Sequence, residues 1–156
     1  DGPRRAPSVQ NAPAAAAQSL LAQEHALALK AFVVEDQAAI REGLVEALAE
    51  MGSIETAGWA SNEKAATAWL RDPAHHWDIA IVDLVLDLGG GSGFGVLQAL
   101  RGRPNTQKMI VLTGTADPQV RRHCQEMGAD GVFDKAMETE ALLDYCAALA
   151  RAAGGH

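Results

Sequence analysis

A carboxylate that closes a buried apolar run calls for an explanation, and IAIVD at residues 79–83 is such a run. Its branched apolar residues, bounded by charge, read as a fully buried parallel strand that ends on Asp83. Other reactive side chains close other apolar runs: Glu35 and Asp36 after AFVV, Thr113 in KMIVLTG, and Lys135 after VFD. Three carboxylates brought together suppress one another's ionisation unless a cation is supplied. All-oxygen ligands without His or Cys select a hard ion such as Mg2+, which keeps waters and accepts a phosphate oxygen. With a hydroxyl from Thr113 and an ammonium from Lys135, such a cluster can hold a phosphoryl group on Asp83.

The elements that must gather these residues alternate strictly from Lys30 onward, the pattern of βαβ units. A first strand at 31–35 precedes a helix carrying Ile40, Leu44, Val45, Leu48 and Met51 at helical spacing, closed by Gly52. A second strand at 54–60 leads to a helix capped by Ser61 and running to about Leu70, before Pro73. The third strand, 78–83, opens into a glycine-rich loop, and Val96, Leu97 and Leu100 face the core from the helix after it. A fourth strand at 108–114 is followed by Asp117 as cap, Pro118 in the first turn, an apolar face of Val120, Cys124 and Met127, and Gly128 as stop. A short strand at 131–134 delivers Lys135, and a last helix over about 138–151 buries Leu142, Tyr145, Cys146 and Leu149.

Right-handed crossovers and two covered faces make this an α/β fold: a doubly wound, five-stranded parallel sheet of flavodoxin-like topology, order 2-1-3-4-5. Strands one and three are then neighbours at the switch point. Glu35 and Asp36 should lie beside Asp83 in one crevice outside the strands' carboxyl ends.

The set VVED at 33–36, VDL at 82–84, VLTG at 111–114 and FDK at 133–135 resembles the receiver domain of two-component response regulators, over residues 30–151. The resemblance implies that Asp83 accepts a phosphoryl group from a phosphohistidine on a sensor histidine kinase or a histidine phosphotransfer protein. It implies Mg2+ bound directly by Asp36 and Asp83, through water by Glu35, and by the backbone carbonyl of Val85. Lys135 would pair with the phosphoryl oxygens and Thr113 would hydrogen-bond to one of them. Catalysis would rest on positioning and charge neutralisation.

Several residues depart from the family's pattern. Glu35 stands where Asp is common, and its longer arm still suits a water-mediated contact. Asp87 replaces a proline four residues past the acceptor, and Gly89, Gly90 and Gly91 lengthen the loop, which is expected to be mobile or partner-specific. Val85 and Thr115 offer no acid or amide to guide a hydrolytic water, so the phosphorylated state should decay slowly. Val132 takes the place of the family's switching aromatic, and Phe133 cannot substitute because successive strand residues face opposite sides. Ala136 replaces the proline after the lysine, so no cis peptide is assumed there.

The remaining composition narrows the alternatives. The chain has 156 residues, 48% of them hydrophobic, which suffices for one core, and a formal net charge of −7. Its thirteen basic residues are scattered, arguing against direct nucleic-acid binding, and no apolar run is long enough for a membrane span. Cys124 and Cys146 lack metal or disulfide spacing and read as reduced core thiols in a cytoplasmic protein. His123, His75 and His76 show no ligand spacing either.

Residues 1–29 read as a tail or linker in which 14–28 is helix-favouring and should dock on the domain or pair with a second copy as a homodimer. Residues 152–156 read as a short tail, leaving a stand-alone receiver as the expectation, against a fragment with an upstream output or kinase module. An aspartyl-phosphate phosphatase would need an acid where Val85 stands. GGGSGFG matches neither nucleotide-binding glycine pattern.

Overall fold

The computed structural model describes residues 28–86 and 89–154. Among them, strands and helices alternate as β1 (Leu29–Val34), α1 (Ala38–Glu50), β2 (Ile54–Ala60), α2 (Glu63–Arg71), β3 (Ile79–Val82), α3 (Gly93–Ala99), β4 (Lys108–Thr113), α4 (Pro118–Glu126), β5 (Gly131–Asp134) and α5 (Thr139–Gly154). All strand pairs are parallel and the sheet order is β2-β1-β3-β4-β5, as the alternation implies.

Strand alternation sorts the core onto two faces. Phe32 and Val34 of β1, Ala80 and Val82 of β3 and Val111 of β4 pack with α2, α3 and α4 through Leu70, Val96, Leu97 and Cys124. Ala31, Val33, Ile79, Ile81, Ile110 and Leu112 point the other way, against Leu44 and Leu48 of α1 and Leu142 and Cys146 of α5. Each large aliphatic side chain buried this way contributes about 1.5–3 kcal/mol. Trp77 is fully buried, and its ring N–H donates to the Leu70 carbonyl at 2.9 Å, so the burial leaves no orphaned donor.

Several local expectations shift. The N-cap of α2 is Asn62 rather than Ser61: Asn62 is extended and its side chain accepts from the Ala65 N–H at 2.8 Å. Asp117 caps α4 with Pro118 in the first turn, while Gly52 and Gly128 close α1 and α4 at φ 72 and 101. Helix α5 begins at Thr139 and continues to Gly154, past residue 151, through alanines that favour helix. Tyr145 and Leu149 on it are partly rather than fully buried. Residues 14–27 of the expected 14–28 helix, and the placement of Asp87, lie outside the described residues.

Register delivers the site. Val34 pairs with Val82, and Val82 with Val111. The next residues of β1 and β3 are Glu35 and Asp83, so the two acids emerge side by side. They stand one position past the strands rather than within them, although ladder-like bonds continue from Glu35 N–H to Ala60 and from Asp83 N–H to Val34, each 3.0 Å. Thr113 closes β4 opposite Asp134, which places Lys135 at the same rim.

Candidate functional site

At the carboxyl ends of β1, β3, β4 and β5 the ammonium of Lys135 stands between two acids. It lies 2.7 Å from Glu35 Oε1 and 2.8 Å from Asp83 Oδ2. Glu35 is 3% exposed and Asp83 6%, so these contacts are made almost out of water. One carboxylate oxygen from each of Glu35, Asp36 and Asp83 falls within 4.8 Å of the others. Thr113 is fully buried at the end of β4. The five side chains singled out from the sequence therefore lie at one rim.

The electrostatics follow from burial. Desolvation raises the Glu35 carboxyl above its ordinary value and the charge of Asp83 adds to this, against hydrogen bonds from Lys135 and the Gln37 N–H. Burial alone would lower Lys135, but the hydrogen bonds and charges of Asp83 and Glu35 outweigh it and hold the ammonium above its ordinary value. Among the described residues, the site thus holds the Lys135 ammonium against Glu35 and Asp83, with Asp36 beside them. A donor set made only of closely spaced carboxylate oxygens suits a hard divalent ion, which would complete the neutralisation that Lys135 begins.

The secondary candidates are placed as follows. Val85 is 52% exposed, and its N–H donates to Asp83 Oδ1 at 3.3 Å. The Thr115 hydroxyl lies 3.2 Å from that of Thr113. Val132 is buried with the α2–α4 face, whereas Phe133 packs edge-on against Tyr145 on the opposite face, as strand alternation requires. The peptide preceding Ala136 is trans.

The glycine-rich loop is tied down over the part that is described. Glu63 at the start of α2 accepts from the Ser92 N–H at 2.9 Å, and its own N–H donates to the Gly90 carbonyl at 2.7 Å. A short antiparallel bridge joins Val85 to Ser92. A Cβ on Gly93 would overlap the Asp83 carbonyl oxygen and lie 2.8 Å from Leu84 Cα, and one on Gly95 would overlap the Glu63 carboxylate. Gly93 thus serves close approach of the start of α3 to the end of β3, and Gly95 close approach of α3 to Glu63, rather than freedom of movement alone.

Glu63 and Arg41 escaped the sequence reading. Arg41 donates from its guanidinium to the Glu35 backbone carbonyl at 2.9 Å and stacks over the half-exposed ring of Trp59 at 3.7 Å. Nothing in a pattern of apolar spacing marks such a contact, because it joins a helix side chain to a strand-end carbonyl.

Comparison with known proteins gives the same picture. Residues 31–147 match the model of the response regulator receiver domain. The chain is 32% identical over 111 residues to the acid tolerance regulatory protein ActR of Sinorhizobium medicae, a match covering 71% of this chain and 54% of ActR. It is 29% identical over 116 residues to the probable chemotaxis protein CheY of Rhizobium etli, covering 73% of this chain and 86% of that one. It therefore spans about half the length of ActR but most of the CheY. A DNA-binding response regulator of the LuxR family from Staphylococcus aureus superposes with a TM-score of 0.67 at 20% identity, covering 78% of this chain and 98% of that one, which speaks for the fold. Among the described residues no helix is long and apolar enough to cross a membrane. The family match spans both the strands and the acidic rim, and the chain belongs to the response regulator receiver domains of two-component signal transduction.

Proposed function

We propose that Asp83 accepts a phosphoryl group from the phosphohistidine of a sensor histidine kinase or histidine phosphotransfer protein. The observation that carries this reading is Lys135 held at 2.7 and 2.8 Å between Glu35 and Asp83, with Asp36 and Thr113 at the same rim. In the transfer the donor's P–N bond breaks, a P–O bond forms to an Asp83 carboxylate oxygen, and the freed imidazole leaves as the nucleofuge. The Lys135 ammonium meets the charge that moves onto the phosphoryl oxygens, and the Thr113 hydroxyl turns from Thr115 to hydrogen-bond one of them.

Asp36 and Asp83, the Val85 carbonyl and, through water, Glu35 are the residues that would hold Mg2+. The ion would neutralise the phosphoryl oxygens as they approach the acids. Glu35 also fixes the lysine through its Oε1 contact. With an apolar Val85 and a Thr115 hydroxyl close to that of Thr113, no acid or amide among these described neighbours directs a water at the acyl phosphate, which supports slow spontaneous hydrolysis. The domain is a signalling switch that assists its own phosphorylation, not an enzyme turning over a substrate pool. Its two buried free thiols suit a cytoplasmic location.

One reading is a receiver that acts by itself, passing the phosphoryl group on or binding a partner protein, with a second copy among the partners. A receiver joined to a further module is the second reading, favoured by ActR being nearly twice as long as the matched region. The native gene boundaries separate the two. The chemistry is tested by intact mass spectrometry with acetyl phosphate and Mg2+. One phosphoryl mass should be added to the wild type and none to Asp83→Asn; equal labelling of both would refute the assignment.

A further inference from the structure

One arginine outside the acidic cluster ties together the segments that carry Thr113 and Lys135. Arg121 lies on α4. Its Nε donates to the Ala116 carbonyl and its Nη1 to the Val132 carbonyl, each at 2.9 Å, while Nη2 pairs with Glu138 Oε1. Ala116 belongs to the loop that follows Thr113, Val132 is in β5, and Glu138 immediately precedes α5. A planar guanidinium with five donors can serve three acceptors at once, which an ammonium on a flexible stem cannot do in fixed geometry.

Glu138 is an uncommon residue for its place, since helix starts favour Ser, Thr, Asp or Asn. Its longer arm reaches back: the same Oε1 accepts from the Asp134 N–H at 2.9 Å, and the Glu138 N–H donates to the Asp134 carbonyl at 2.9 Å. Lys135 sits inside this frame. Its N–H donates to the Thr113 carbonyl, its carbonyl accepts from the Thr139 hydroxyl, and the Asp134 carboxylate receives the Ala136 and Met137 N–H groups. Arg121 and Glu138 are 34% and 36% exposed, so their charge attraction contributes little by itself. Directed hydrogen bonds to three chain segments are what this pair adds.

We propose that Arg121 and Glu138 are positioning residues for Lys135, a strap that sets where its ammonium stands and links that position to the loop after Thr113. Its consequence for phosphoryl transfer rests on the function proposed above, whereas its consequence for Lys135 does not. Slackening the strap therefore disturbs Lys135 first and transfer second, with the metal ligands on β1 and β3 left in place.

The test uses the full chain, 15N-labelled, as wild type, Arg121→Ala, Glu138→Ala, the double variant, and Arg121→Lys, which keeps the charge and loses the fork. Three quantities are read: the Lys135 Nζ resonance, assigned by its loss in Lys135→Arg; Mg2+ affinity; and the initial rate of labelling by acetyl phosphate. The strap predicts a displaced Lys135 resonance in each variant and a labelling rate about tenfold lower, with Mg2+ affinity little changed. The double variant should be no worse than either single one, because both remove the same connection. Glu138→Gln, which retains the acceptor oxygen, should recover most of the rate. An unmoved Lys135 resonance in a folded variant, or losses that multiply in the double variant, would overturn the proposal. If Arg121→Ala does not fold, Arg121→Lys carries the same comparison. Failure of the wild type to label would count against Asp83 as acceptor, and the resonance would still decide the strap.

Discussion

Replacing Lys135 by alanine removes an ammonium set between two buried acids, and the structure indicates what that costs. Its ammonium touches Glu35 at 2.7 Å and Asp83 at 2.8 Å, with side-chain exposures of 18% for the lysine, 4% for Glu35 and 7% for Asp83. Breaking a buried ion pair by deleting one partner typically costs about 3–5 kcal/mol, because the other charge is left uncompensated. The rim opens to solvent and water can enter the vacated space, so the lower end applies, about 3 kcal/mol near neutral pH without divalent ions. At this size that is a fall in Tm of roughly 12 °C.

The pH dependence is specific. Glu35 has its folded pKa raised above 4.5 by burial, so the protonated form is favoured in the fold and its contribution to stability declines as pH rises through the folded value. Losing Lys135 removes the hydrogen bond that opposes this shift and widens the window. The deficit of Lys135→Ala should therefore shrink as pH is lowered toward Glu35's folded pKa, and Mg2+ should stabilise the variant more than the wild type. Lys135's own contribution, with its folded pKa raised, is fully present below 10.5 and disappears only as pH rises above that. Urea denaturation at several pH values, with and without Mg2+, reads all of this. A deficit under 1 kcal/mol, or one unchanged by pH and Mg2+, would refute the reasoning.

Other consequences are simpler to check. Because Glu35 must be ionised to assist a cation and burial raises its pKa, Mg2+ affinity followed by calorimetry should weaken as pH falls, beginning above pH 4.5. Gly93→Ala forces a Cβ within 2.8 Å of Leu84 Cα and onto the Asp83 carbonyl, so it should lose about 1–3 kcal/mol in thermal unfolding and slow labelling of Asp83 as well. The acyl phosphate should outlast minutes once donor is removed, and Val85→Asn, which brings in an amide, should shorten it several-fold in the same chase. Cys146, whose thiol burial pushes up to about 12, should resist alkylation at neutral pH until the protein unfolds.

The sheet order was legible because each apolar run is separated from the next by helical spacing and a recognisable stop, and parallel α/β topology admits few arrangements. The cluster was legible for the same reason. Once β1, β3, β4 and β5 are parallel neighbours, the residues that close them must share a rim. What escaped were polar side-chain contacts between different elements: Glu63 on the Ser92 N–H, Arg41 on the Glu35 carbonyl, and Arg121 on the Ala116 and Val132 carbonyls and on Glu138. All but the Arg121–Glu138 pair are polar side chains reaching a backbone atom whose position depends on packing, and apolar periodicity carries no trace of any of them. Asn62 rather than Ser61 at the start of α2 is a smaller case, where adjacent residues were both competent caps and the backbone chose between them.

The residue that accepts the phosphoryl group is open to direct measurement. Protein labelled with acetyl phosphate and Mg2+ can be treated with borohydride, which reduces an acyl phosphate and converts the modified aspartate to homoserine, and then mapped by tandem mass spectrometry. Conversion should appear at residue 83 and be absent when Mg2+ is withheld. Homoserine at residue 36, or at any aspartate away from the rim, would contradict the assignment of Asp83.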